Sequence, residues 1–339
     1  MTTHATPPVL GIPGATADLS ARLRDGLARV DALLTQVVDH DDPFIAAASG
    51  HLVAAGGKRF RPLLTLLAAE VGEGINDDVV AAAAGVELTH LASLYHDDVM
   101  DEASVRRGVA SVNAAYDNST AILVGDLLFG KASELVAGLG AEAVLIQAQT
   151  FVRLCNGQIR DDRPCPEGVD PVDYYLGVLA DKTGVLIATA GRYGVMFSGG
   201  SPGSVEIMRS YGEKLGIAFQ LADDLIDIAS DADDSGKIPG TDLREGVDTL
   251  AVLRFRATAD PADASDARLL ELLDGDLTDD DAALAEALGL LRAHPALAVA
   301  RDETYAVARE AQALLDPLPD SDAKAALQAL AMSVVDRVG

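Results

Sequence analysis

Tryptophan is absent from the 339 residues, and phenylalanine and tyrosine together make up 4%. An apolar content of 49% with so few rings implies an aliphatic core of alanine, leucine and valine, a composition that favours helix over sheet. Cysteine is nearly missing. Cys155 and Cys165 form neither a disulfide framework nor a metal-ligand spacing, which fits a reducing cytoplasm. No uninterrupted apolar run reaches the length of a membrane span. The opening MTTHATPPVLGIPG lacks a basic stretch followed by an apolar one, so no signal peptide is expected. Positive charge is also short: 26 Lys and Arg stand against 53 Asp and Glu, a formal net charge of −27. That field argues against nucleic acid and against anionic lipid as partners. It leaves room for a phosphorylated substrate, because a bound metal or a local cation cluster overrides the global field. Lysine is the scarcer cation, present only at 58, 131, 182, 214, 237 and 324.

Against that background, Leu88 to Gly108 reads LTHLASLYHDDVMDEASVRRG. An apolar run of helical character ends in Asp97, Asp98 and Asp101 and is followed by Arg106 and Arg107. On a helix, Asp97 and Asp101 share one face and repel each other. A hard divalent cation removes that repulsion, and carboxylate oxygens suit Mg²⁺, which usually keeps substrate phosphates among its ligands. The paired arginines add forked donors for the same phosphates. In so acidic a chain, one aspartate run reads as well as solvated surface. A second copy weighs against that reading: QLADDLIDI places Asp223, Asp224 and Asp227 in another apolar run, again with the outer two on one helical face.

Two DDxxD motifs, with GGKRFRP, GDLLFGKA, DKTG and GKIPGTDLREG in the same order, resemble the trans-isoprenyl diphosphate synthases, the head-to-tail prenyl-chain-elongating family. The resemblance runs from about Gly56 to Thr249. It implies an all-α fold, a single large helical bundle with a central cavity across which the two motifs face each other. It also implies a homodimer. The metals, three Mg²⁺ ions once substrate is bound, fall to Asp97, Asp101 and Asp223, with Asp98, Asp224 and Asp227 in the same clusters or behind them. Isopentenyl diphosphate falls to Lys58, Arg61, His90 and Arg107. The allylic diphosphate falls to Arg106, Lys182, Thr183 and the loop lysine Lys237, with Gln220 beside the second motif. Lys182 is placed with the aspartates among the catalytic groups. His96 and the Gly125–Asp126 pair are read as packing.

Chain length in this family is a matter of cavity depth. Ala92 and Ser93, one turn before the first motif, are small enough to leave a tunnel open beyond a C15 product. The expectation is a C30–C50 polyprenyl diphosphate, with geranylgeranyl (C20) diphosphate as the alternative. A non-catalytic subunit of a two-component synthase is a further reading, disfavoured because both motifs are intact. A terpene cyclase would need no GGKRFRP, and an acidic Ca²⁺-binding protein would need a loop of the EF-hand kind. Two departures stand out: Val247 where many relatives have lysine, and Ala251 where proline is common.

Along the chain, residues 1–17 read as a flexible lead-in and 18–339 as one helical domain. Asp18 is expected to cap a first helix to Val38, Pro43 to open a second, and Pro62 a third. Helices are expected from Asp77 through the first motif, at 119–138, 141–160 and 204–228, and through the Ala/Leu-rich C-terminal part. Lys182-Thr183-Gly184 inside a helical pattern suggests a kink.

Overall fold

The computed structural model describes residues 12–229 and 239–338. Secondary structure is almost entirely helical, with one two-stranded hairpin among the described residues. Helix α1 (Ala17–Val38) buries Leu19, Leu23, Val30 and Leu34 along one stripe. Its cap is Thr16, whose hydroxyl accepts from Leu19 N at 3.3 Å. Asp18, expected as the cap, lies instead in the first turn, where a negative charge meets the positive end of the helix dipole. Helix α2 (Pro43–Ala54) is capped by Asp42 with proline at its first position. Helix α3 (Phe60–Ala69) begins two residues ahead of Pro62; a proline is tolerated in the first turn, where N–H groups have no helical partner.

Asn76 caps α4 (Asp77–Met100), whose residues from Val79 to Ala92 are mostly buried. At 1.5 Å per residue this helix is about 36 Å long. The chain then turns through β1 (Val105–Arg106) and β2 (Val109–Ala110), paired antiparallel with Val105 opposite Ala110. Arg107 and Gly108 make the two-residue turn, both at positive φ (54° and 77°), the geometry that suits the right-handed twist of a hairpin. A short α5 (Val112–Ala115) precedes α6 (Asn118–Ala137) and α7 (Ala141–Asp161). Helix α8 (Pro171–Leu179) runs into a π-helical turn, Ala180–Gly184, and then α9 (Val185–Phe197). The kink expected at Lys182–Gly184 is this wide turn.

Helix α10 (Pro202–Ala229) carries the second motif. After the undescribed stretch come α11 (Thr241–Arg244), α12 (Leu250–Thr258), α13 (Ala264–Leu273), α14 (Asp281–Ala293), α15 (Pro295–Leu314) and α16 (Asp322–Ser333). No single helix among the described residues is long and apolar enough to cross a membrane.

Contacts gather in two compact units. The first holds residues up to Arg153, Val185–Gly212 and Leu314–Ala329. Its centre is α4, packed against α1, α3, α6 and α9. Small residues permit the close approach: a Cβ on Gly85 of α4 would lie 2.9 Å from Val136 of α6. The second unit holds Leu154–Gly184, Glu213–Ala313 and the chain from Leu330. Within it α8 and α14 pack on α12, and α13 packs on α14.

Candidate active site

In the first unit, Asp97 and Asp98 occupy the last turn of α4, and Asp101 follows as its C-terminal cap, donating its N–H to Asp97 O at 2.8 Å. No basic residue lies in that turn, so carboxylates accumulate where the helix dipole is already negative. The three are not equivalent. Asp98 is fully buried, and its Oδ1 accepts from Arg106 Nε at 2.5 Å. Its Oδ2 is buried without a partner. Burial raises the Asp98 carboxyl above its usual range, against the pull of Arg106. Asp101 is largely exposed, 3.6 Å from Arg106 Nη2, and Asp97 is half-buried.

One turn and more up the same helix, the cations meet. Lys58 is exposed. The Arg61 Nε is buried without a hydrogen-bond partner, and burial lowers the guanidinium to about 10, Glu87 opposing and Arg107 adding to the shift. His90 is held well below its usual value by burial first and then by the charges of Arg61, Arg107, Arg106 and Arg59, which leaves it a neutral imidazole. Arg107 Nη1 donates to Leu52 O at 3.3 Å and to Gly56 O, and Arg107 Nη2 lies 3.7 Å from Glu87. Gly57 makes room for this side chain, since a Cβ there would fall 2.9 Å from its guanidinium carbon. So many cations around a neutral histidine form a ready cradle for a polyanion.

Ala92 is fully buried, and Ser93 turns its hydroxyl back to His90 O at 2.9 Å. A small cavity lies further along α4, between Gly85, Thr89, Val136, Thr150 and Thr189. His96 sits 3.1 Å from Ile122 O and 3.4 Å from Asp126, and a Cβ on Gly125 would overlap its ring at 2.4 Å. These contacts tie the C-terminal end of α4 to α6.

In the second unit, Asp224 is the buried member of its motif. Tyr175 Oη donates to its Oδ2, and Gln220 Nε2 donates to its Oδ1 at 3.0 Å. Burial raises Asp224 to about 6, with Asp223 and Asp227 adding to the shift and the two hydrogen bonds opposing it. Burial beside Asp224 also holds the Tyr175 phenol well above its ordinary range. Asp223 pairs with Arg337 at 3.0 Å, whose guanidinium lies 4.7 Å from the Phe219 ring centre. Asp227 Oδ2 accepts the Asp242 N–H at 3.1 Å. Lys182 Nζ meets Asp161 at 2.6 Å, and Thr183 Oγ1 is 3.4 Å from Gln220 Oε1. Lys237 lies outside the described residues.

Three participants carried little signal in the sequence. Glu87 stands as a lone acid in an apolar run, a signal that could have been read. Tyr175 and Arg337 reach the second motif from distant positions, and nothing local marks them.

Among the described residues no group of three His, Cys, Asp or Glu side chains encloses an ion unaided. Mg²⁺ does not require one, because it is commonly held by one or two carboxylates with waters and substrate phosphates. The accessible outer carboxylates of each motif, crowded at a negative helix end in the first, fit that donor set.

A family model described as Polyprenyl synthetase matches residues 42–291. The chain is 48% identical over 332 residues to nonaprenyl diphosphate synthase of Mycobacterium tuberculosis, covering 98% of each. It superposes on geranylgeranyl pyrophosphate synthase from Corynebacterium glutamicum, a structure containing calcium and isoprenyl diphosphate, with a TM-score of 0.85 and 43% identity over 96% of this chain and 98% of that one. A decaprenyl diphosphate synthase from Rhodobacter capsulatus also gives a TM-score of 0.85, at 33% identity over 95% and 99% of the two chains.

Proposed function

This chain belongs to the polyprenyl synthetase family and is a trans-prenyltransferase, and we propose that it condenses isopentenyl diphosphate with an allylic diphosphate to make an all-trans C30–C50 polyprenyl diphosphate. The observation that carries the reading is the cation cluster around a neutral His90 on the helix that ends in the first aspartate motif. It is a cradle for a second diphosphate, which a synthase needs and a cyclase does not.

In this reading Lys58, Arg61, His90 and Arg107 hold isopentenyl diphosphate, while Arg106, Lys182 and Thr183 hold the allylic diphosphate. Lys237 and Gln220 are assigned to the same allylic end. Asp97, Asp101 and Asp223 are the proposed Mg²⁺ ligands. Asp227 is grouped with Asp223, and Asp98 and Asp224 each support the outer carboxylates of their own motif from behind. Three ions are proposed. Bound Mg²⁺ supplies the positive charge that stabilises the diphosphate as it leaves. Arg106 and Lys182 share that load through their own charges. The allylic C–O bond breaks, the isopentenyl double bond attacks the cation, and the proton lost from the adduct passes to the released diphosphate. The cation must be kept from water until the double bond attacks it.

The product tail is proposed to run along α4 past Ala92 and Ser93 toward the cavity beside Thr89. The similarity to the nonaprenyl and decaprenyl synthases supports a long product, and that to the geranylgeranyl synthase keeps C20 as the alternative. We also propose a homodimer. Ile122 and Leu123 of α6 and Val144, Leu145, Phe151 and Val152 of α7 are exposed apolar side chains in the first unit of a very acidic chain, and a second copy is the occupant we assign them. A reducing cytoplasm suits the two free cysteines.

The test is incubation of purified protein with Mg²⁺, isopentenyl diphosphate and farnesyl diphosphate, with product length read by mass spectrometry and subunit number by light scattering. A ladder ending at C30 or longer is expected. A stop at C20 would replace the long-chain reading. No elongation from farnesyl, geranyl or dimethylallyl primers would refute an autonomous synthase.

A further inference from the structure

Glu87 is a buried carboxylate that the reaction does not use. It lies on α4 one turn before His90, with 2% of its surface exposed. Two arginines reach its Oε1 from separate loops. Arg59 Nη1 donates to it at 3.0 Å from the loop before α3, and Arg107 Nη2 lies 3.7 Å away from the hairpin turn. Both arginines also close the C-terminal end of α2. Arg59 Nη2 donates to Val53 O at 3.2 Å, and Arg107 Nη1 donates to Leu52 O and Gly56 O. Asp31 takes the remaining side of Arg59, with Nε at 2.8 Å.

Both arginines have positive φ, 48° at Arg59 and 54° at Arg107. Side chains other than glycine rarely adopt that conformation, and it persists only where the surroundings fix it. Two such residues, from loops unconnected in sequence, converge on one buried carboxylate. The first loop also carries Lys58 and leads directly into Arg61 in the first turn of α3, and the hairpin turn carries Arg107 itself.

We propose that Glu87 is a positioning residue for isopentenyl diphosphate: by tying Arg59 and Arg107 to α4, it fixes the glycine loop and the hairpin turn where their cations can meet the diphosphate together. The inference rests on the reading that this cluster holds isopentenyl diphosphate. Glu87 touches no reacting atom and acts through the arginines. It also supplies negative charge to a group of guanidiniums that would otherwise repel one another, and Arg61 senses that charge. Arg106, assigned to the allylic diphosphate, neighbours Arg107 in the hairpin but has its own anchor, donating from Nε to Asp98 Oδ1 at 2.5 Å. Loss of Glu87 should therefore act on isopentenyl diphosphate more than on the allylic substrate.

The experiment titrates isopentenyl diphosphate calorimetrically into full-length wild-type and Glu87→Gln protein without primer. Initial rates are then measured against each substrate. Glu87→Gln is expected to keep the helical circular-dichroism spectrum, to lose about tenfold in affinity for isopentenyl diphosphate and to raise its KM alike, while the KM for farnesyl diphosphate moves less than about twofold. Unchanged affinity in folded Glu87→Gln, or an equal rise in both KM values, overturns the proposal. If Glu87→Gln does not fold, Glu87→Asp keeps the charge but withdraws it by a methylene. An affinity loss of about threefold is then expected, and unchanged affinity overturns the proposal. Wild-type protein that binds isopentenyl diphosphate but elongates no primer would refute the synthase reading, while the titration still decides the role of Glu87.

Discussion

The two aspartate motifs share a spacing and differ in how the middle carboxylate is held. In each unit that residue is buried and the outer two are more accessible. Asp98 is held by the Arg106 guanidinium, a full charge, whereas Asp224 is held by the neutral donors Tyr175 and Gln220. Burial raises both, but Asp224 reaches about 6. A charged partner lets a buried carboxylate remain ionised, while neutral hydrogen bonds offset only part of the desolvation. The DDxxD pattern thus builds one ionic and one polar support behind two similar sets of outer carboxylates.

Removing an outer carboxylate should break both sites alike. Asp97→Ala and Asp223→Ala are each expected to lower the elongation rate by about 10³-fold or more, measured at saturating substrates and Mg²⁺. If one variant kept most of its activity, the proposed equivalence of the motifs would be lost.

The middle residues should separate the two supports. Arg106→Met leaves Asp98 buried beside an apolar side chain, with Oδ2 already unpartnered. Breaking a buried pair from one side costs about 3–5 kcal/mol, and urea denaturation at neutral pH should show a loss at the lower end of that range, since Asp98 can escape part of it by taking a proton. A loss under about 1 kcal/mol would mean that the Arg106 pair is not what supports Asp98.

Much of the scaffold was legible because helices announce themselves. The periodic burial of α1, the proline at the start of α2 and the run from Asp77 into the first motif all lie where the sequence places them. The cap of α1 fell on Thr16 rather than Asp18 because either side chain can serve and only the backbone geometry at the entry decides. The sequence does not announce the hairpin, because its strands are two residues long and Arg107-Gly108 stands out by charge rather than by the turn it makes. In the site, an i, i+4 spacing places Asp97 and Asp101 on one face but says nothing of how deep Asp98 lies. Its burial, and the reach of Tyr175 and Glu87, depend on packing between segments far apart in the chain.

The pH dependence of stability sharpens the comparison further. Asp224 has a folded value near 6 and a lower unfolded one, so between about pH 4 and 6 the native state binds more protons than the unfolded chain. Its contribution therefore makes stability fall as pH rises through that window. The penalty is complete above about pH 6 and amounts to about 3 kcal/mol at most. Denaturation of chelator-treated protein from pH 4 to 7 should show that slope in wild type and a flatter one in Asp224→Asn. An unchanged slope would mean that Asp224 is not the group responsible. Asp98 contributes with the same sign.

Tyr175→Phe should give the smallest effect, and it tests the neutral support directly. The variant keeps the ring and removes the hydroxyl that donates to Asp224 Oδ2. A neutral donor lost from a buried acceptor costs about 1–2 kcal/mol, below the cost of removing Arg106 because no full charge is left unpaired by the deletion. Gln220 still serves the other oxygen. The hydroxyl opposes the rise in the Asp224 value, so removing it should move the stability window of Asp224 to higher pH. At pH 5, where Asp224 is largely protonated, the measured loss should be smaller than at pH 7. An equal loss at both values would assign Tyr175 to packing alone and leave Asp224 supported only by Gln220.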